Sequence, residues 1–191
     1  MMFYAASVRC SAKLDCWVGA WCLPTEKMDT IVFKRESDAP IYTDKVTSDA
    51  IAIFINGRSL IELVREIELP FATEEGREQD AGNYVWLRLN WLPDVWQHFH
   101  RASEQALFYP FKTNLLECGT CGVSECWPLL ARIEVKDKSI VWRLLEQPYR
   151  RKKYETRRVK HWKYVGFGPF RFDREQYESV LQSLEAQPPA T

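Results

Sequence analysis

Three cysteines fall within nine residues of this 191-residue chain, in the stretch CGTCGVSECWP at 118–128. Their spacing is Cys-x2-Cys-x4-Cys, with Gly119 and Gly122 between the sulfurs. A Cys-x2-Cys turn aims two thiolates and the adjoining backbone N–H groups at one point, which is how a zinc knuckle is built. Each glycine suits such a turn if the backbone there needs positive φ. Cys126 adds a third sulfur. A structural site takes four ligands, and the loop offers no obvious fourth. His161 is the best distant candidate; His98 or an N-terminal cysteine is the alternative. Cys118, Cys121, Cys126 and His161 are therefore the candidate zinc ligands. Two other readings stand beside this one. A redox pair needs a low-pKa thiol, and Glu117 and Glu125 next to the thiols work against that if they lie close in space. Inert, separately packed thiols are the bland reading.

The second cluster is RRKKYETRRVKHWK at 150–163, with eight Lys/Arg, one Glu, and Tyr154, His161 and Trp162 interleaved. Cations grip phosphates and rings stack on bases. Arg150, Arg151, Lys152, Lys153, Arg157, Arg158, Lys160 and Trp162 are thus candidate contacts to nucleic acid or to a protein partner. A solvated loop is the plainer reading. The same run also matches the acidic stretch 62–80, within one molecule or between two. Zero formal net charge lacks the basic excess of a dedicated nucleic-acid binder.

Other lures are weak. GFGPF lacks the third glycine and helix of a dinucleotide loop. His98 and His100 are two apart, a spacing that parts them on a helix. The acids Glu74, Glu75, Glu78 and Asp80 lack the order of a calcium loop and read as solvated. No recognisable catalytic constellation emerges.

The elements that must position these residues read as a mixture of strands and helices. Residues 30–33 and 50–55 read as strands, followed by an Asn56-Gly57 turn. Ser59 with Glu62 reads as a capping box opening a helix over 60–68, stopped by Pro70. Residues 71–83 read as a loop and 84–92 as a strand. Pro93 opens a second helix, with Val95, Trp96, Phe99, Ala102, Ala106 and Leu107 at helical spacing. Residues 129–135 and 139–146 flank a polar turn as a hairpin. A short strand after GFGPF leads to Asp173 and Gln176, which cap a last helix with a stripe of Tyr177, Val180, Leu181 and Leu184. Strands and helices without regular alternation predict a single α+β domain, with a largely antiparallel sheet of about five or six strands and about three helices.

Apolar residues at 46% and charged residues at 27% are enough for a packed core. The first hundred residues carry ten Lys/Arg and fifteen Asp/Glu, the remainder sixteen and eleven, an asymmetry that can steer a partner. Residues 1–27 differ from the rest: Cys10, Cys16 and Cys22 recur at six-residue steps without clear periodicity. They read as an irregular extension to a body at 28–187, with a short tail at 188–191. Met28 is one expected natural start; a cysteine-bearing arm folded on the body is the alternative. The apolar run CWVGAWCL is too short to span a membrane and no export signal follows it. A cytoplasmic address with reduced thiols is expected.

The segments CGVSECWPLLARIEV, VWRLLEQPYR, WKYVGFGPFRFDREQYESVL and INGRSLIELVREIELPFA resemble a group of small bacterial proteins with no assigned function. The resemblance covers about residues 50–185. It implies a cytoplasmic bacterial setting and supplies no reaction, cofactor or catalytic residue. The leading expectation is a non-enzymatic binding or interaction protein, of accessory or immunity type, with a structural zinc loop. Its rivals are a small metal- or thiol-dependent enzyme centred on that loop, and a nucleic-acid-binding protein using residues 150–163.

Overall fold

The computed structural model describes residues 27–38, 48–92, 94–100, 109–123 and 125–188. The N-terminal segment with Cys10, Cys16 and Cys22, Pro93, and the expected helical positions Ala102, Ala106 and Leu107 lie outside the described residues. In chain order the strands are β1 (Ile31–Asp38), β2 (Ser48–Ile55), β3 (Arg58–Ser59), β4 (Tyr84–Val85), β5 (Leu87–Arg88), β6 (Thr113–Cys118), β7 (Leu129–Val135), β8 (Ser139–Glu146) and β9 (Phe170–Asp173). The helices are α1 (Leu60–Glu74), α2 (Val95–His100) and α3 (Arg174–Glu185).

The α+β class is as expected, with the strands divided between two antiparallel sheets. One runs β1-β2-β3 with β5 also paired to β2; the other runs β4-β6-β7-β8-β9. A bridge between Asp29 and Phe172 ties the lead into β1 to β9, with Arg171 N donating to Asp29 Oδ2 at 2.9 Å. One apolar core runs through both sheets, from Ile31 and Ile53 to Trp142 and Leu181. At its centre Phe33, Phe99, Trp142, Phe172 and Tyr177 meet ring to ring. The buried Tyr177 hydroxyl donates to Phe99 O at 3.0 Å and accepts from Trp142 Nε1 at 3.2 Å, so the rings bury no unmet polar group there.

Local signals account for the boundaries. Asn56 and Gly57 turn with φ 53° and 78°, the conformation a tight hairpin turn requires. Ser59 Oγ accepts from Glu62 N at 3.4 Å, and Asp173 Oδ1 from Gln176 N at 2.9 Å, capping α1 and α3. In the β7–β8 hairpin Val135 faces Ile140, and the register slips between Leu130 and Arg132. Strict alternation of buried and exposed residues breaks there: Leu130 is buried with Leu129 and Ala131.

Two elements differ from the sequence reading. α1 continues through Pro70 to Glu74. Proline removes one backbone donor from a helix interior, at a cost of roughly 3 kcal/mol. Beyond it, however, Ala72 and Phe71 pack with Trp162, Trp127 and Tyr164 in a second apolar cluster, and that burial holds the helix past its expected end. The stretch 84–92 forms two short strands and a 3-10 turn over Leu89–Trp91, because β4 pairs with β6 while β5 pairs with β2. The same residues thereby serve both sheets.

Candidate metal centre

β6 ends at Cys118, which lies opposite Tyr84 of β4. Pairing carries one residue further, with Gly119 N donating to Asn83 O at 2.9 Å. A Cβ at Gly119 would meet Asn83 Oδ1 at 2.4 Å and the Asn83 backbone carbon at 2.7 Å. Lack of space thus demands glycine at 119, while at 122 positive φ (68°) demands it. Gly122 N donates to Cys118 O at 2.7 Å, closing the turn, and Cys126 N donates to Val123 O at 3.1 Å.

The turn delivers the sulfurs. Those of Cys118, Cys121 and Cys126 all lie within 4.8 Å of one another, Cys118 buried, Cys121 half-buried and Cys126 exposed. Burial opposes ionisation of Cys118, but the backbone N–H groups of Cys121 and Thr120, with the other two thiols, outweigh it and hold its pKa below the ordinary thiol value. Cys126 goes the other way: burial and the two neighbouring sulfurs push it up to about 12. Three sulfurs gathered on a turn, with backbone donors directed at Cys118, are a ligand arrangement that could hold a metal ion. Tetrahedral zinc with Zn–S near 2.3 Å sets sulfurs about 3.8 Å apart, so the triad needs to close by only about 1 Å.

Arg88, which the sequence reading did not single out, braces this loop. Its Nε sits 3.1 Å from the buried Glu117 carboxylate, its Nη2 donates to Gly122 O, and its guanidinium lies 3.7 Å over the Trp91 ring. Glu117, expected to disfavour thiolate at Cys118, therefore has its charge offset by Arg88. Asn83 Nδ2 donates to Thr120 Oγ1 at 2.9 Å, a second brace. Neither partner has a local sequence signal, because both come from the 83–88 stretch, more than thirty residues before the loop's Thr120 and Gly122.

His161 is not part of the three-sulfur group; its backbone N–H donates to Glu155. His98 Nε2 is 2.8 Å from Asn114 O, and burial lowers its pKa. His100 stacks on Trp96 at 3.9 Å and reaches Glu178 at 3.2 Å.

The basic segment meets a different fate. Arg150 is 3% exposed and Trp162 2%. Arg150 Nη1 lies 2.9 Å from Glu75 Oε2, and Nη2 lies 3.4 Å from Asp80. Lys160 N and Trp162 Nε1 donate to the same Glu75 at 2.9 and 3.1 Å. Glu75 and Asp80 of the acidic stretch are thus paired within one molecule and are no solvated acids, while Glu74 and Glu78 are exposed as expected. Arg151 grips Glu146 together with Lys112, and Lys152 pairs with Glu155. Lys153, Arg157 and Arg158 remain exposed.

Two turns earlier on α1, Glu68 is fully buried and accepts from Gly82 N at 2.8 Å, Tyr84 Oη at 2.6 Å and Tyr164 Oη at 2.5 Å. Burial raises its pKa to about 7 against those three donors and the charge of Arg150. Its signal was in the sequence: Leu60, Val64, Glu68 and Ala72 are the buried stripe of α1 at four-residue steps.

No protein-family model, curated protein or solved structure matches this chain. Among the described residues no helix is long and apolar enough to cross a membrane.

Proposed function

We propose that Cys118, Cys121 and Cys126 hold a structural zinc ion, and that the chain is a non-enzymatic binding protein of the reducing cytoplasm whose recognition surface this ion fixes. The observation behind the reading is the approach of three sulfurs to within 4.8 Å on a turn that already aims backbone N–H groups at Cys118. Sulfur-rich ligand sets are those of structural zinc, whereas hydrolytic zinc is commonly held by His and carboxylate. Exposed Val123 and Trp91 flank the loop, linked through Arg88 to Gly122. They offer a protein partner apolar contact beside a rigid turn.

Elemental analysis of the purified protein is expected to find about one zinc per chain, and Co2+ substitution a thiolate-to-metal absorption band. Both vanish in Cys121→Ser. Protein purified without chelator that holds no stoichiometric metal and gives no Co2+ band sinks the reading. His161→Ala tests the fourth ligand through the shape of the same band. A small metal-dependent enzyme is the second reading, favoured by the three-ligand group, since catalytic zinc keeps an open position. Azide or cyanide shifting the Co2+ spectrum would mark such a position; an unshifted spectrum supports the structural site.

A further inference from the structure

Between the thiol loop and the basic segment opens a cavity of about 300 Å3, lined by Arg77, Trp127, Tyr149, Arg150, Tyr154 and Val159. Two of its lining residues carry donors with no acceptor: Arg150 Nε and Trp127 Nε1 are both shielded from solvent and unpaired. Buried donors are nearly always satisfied, and one left without a partner costs stability. Arg150 is held in place, its terminal nitrogens spent on Glu75 and Asp80 and its guanidinium plane 4.3 Å from the Trp162 ring centre. Trp127 is braced edge to face by Trp162 at 6.0 Å.

Aromatic surface completes the cavity. Tyr149 and Tyr154 are partly exposed, with ring centres 6.5 Å apart. Tyr149 is fixed at its far end, its hydroxyl donating to Glu125 O at 2.5 Å and accepting from Tyr109. The charges at the cavity cancel, Arg77 and Arg150 against Glu75 and Asp80. The cavity therefore favours a neutral planar group over a bare anion. Anion affinity sits on the adjoining chain: Lys153, whose Nζ lies 4.7 Å over the Tyr154 ring, and the exposed Arg157 and Arg158 just before Val159.

We infer that this cavity takes the base of a nucleotide, packed against the exposed rings of Tyr149 and Tyr154, with its phosphate on Lys153, Arg157 and Arg158. A flat, uncharged ring with an anionic group next to it matches both halves of the site. This differs from a phosphate-gripping surface along 150–163: Trp162 drops out as a buried brace, and Trp127 and Tyr149 enter from elsewhere in the chain. The inference does not rest on bound metal. A free mononucleotide and an unpaired base in a single strand share this chemistry.

The test titrates full-length protein at low salt with GMP and, separately, with a single-stranded RNA of roughly 12 nucleotides, following tryptophan fluorescence and heat. Binding of GMP points to a mononucleotide; binding of the RNA alone points to a strand. Tyr154→Ala, a change at an exposed ring, is expected to weaken the bound ligand by about tenfold or more with the urea midpoint unmoved. Arg157→Glu with Arg158→Glu is expected to weaken binding and flatten its salt dependence. Neither probe binding overturns the inference. So does RNA binding that is lost in the arginine variant but untouched by Tyr154→Ala, which is backbone attraction without a base pocket.

Discussion

Cys118 and Arg150 stand at opposite ends of one question. Each is a buried, reactive side chain in a cluster of its own kind. Cys118 gathers two more sulfurs around it, all within 4.8 Å. Arg150 turns away from its basic neighbours and finds Glu75 and Asp80 instead. The thiol loop brings like side chains together, while Arg150 and Trp162 of the basic segment are spent holding the end of α1. The difference comes from what lies across from each. A residue count of cations cannot register that an acidic helix end will be packed against them.

The largest effect should separate the two roles of the basic run. Arg150→Ala leaves Glu75 buried with its charge uncompensated and is expected to cost about 3–5 kcal/mol in urea unfolding. A loss below about 1 kcal/mol would mean Arg150 is not part of the frame. Next comes the thiol loop. If zinc binds, its removal by chelator is expected to cost about 3–4 kcal/mol, the contribution of a ligand at 100 to 1,000 times its dissociation constant. A melting curve unchanged by chelator would leave the loop as a plain turn.

The two buried glutamates of α1 sharpen the contrast further. Glu75 has Arg150 at 2.9 Å; Glu68 has only neutral donors in direct contact, from Gly82, Tyr84 and Tyr164. Its folded pKa of about 7 lies above the unfolded value. Its contribution is therefore full below about pH 4.5 and is lost as pH rises toward and through 7, about 3 kcal/mol in all. Glu68→Gln is expected to flatten stability across that window; an unchanged slope would show that Glu68 ionises normally. The smallest effect belongs to the exposed end of the run. Arg158→Ala should shift stability by no more than about 0.5 kcal/mol, and a larger loss would place it in the frame with Arg150.

Local chemistry was readable where it acts over a few residues. The caps at Ser59 and Asp173, the Asn56-Gly57 turn, the β7–β8 hairpin and the convergence of the three sulfurs all follow from neighbours in the chain. What escaped depends on distant partners. Pro70 looks like a stop until Trp162 and Tyr164 bury the turn beyond it. β6 carries no strand signal of its own, because its six residues show no alternation: Leu115, Leu116, Glu117 and Cys118 are all buried. Arg88 and Asn83 brace the loop from a stretch that sequence spacing does not connect to it. Gly119 was expected to serve backbone torsion and instead serves clearance.

The passage of α1 beyond Pro70 has a consequence for biosynthesis. Its last turn is secured by groups 75 to 87 residues downstream, Arg150 and Trp162 on Glu75. At 5–20 residues per second, roughly, that end of the helix emerges several seconds before anything exists to neutralise it. Nascent chains halted ahead of Tyr149 should present this turn frayed and open to proteases, and chains released after Tyr164 should present it closed.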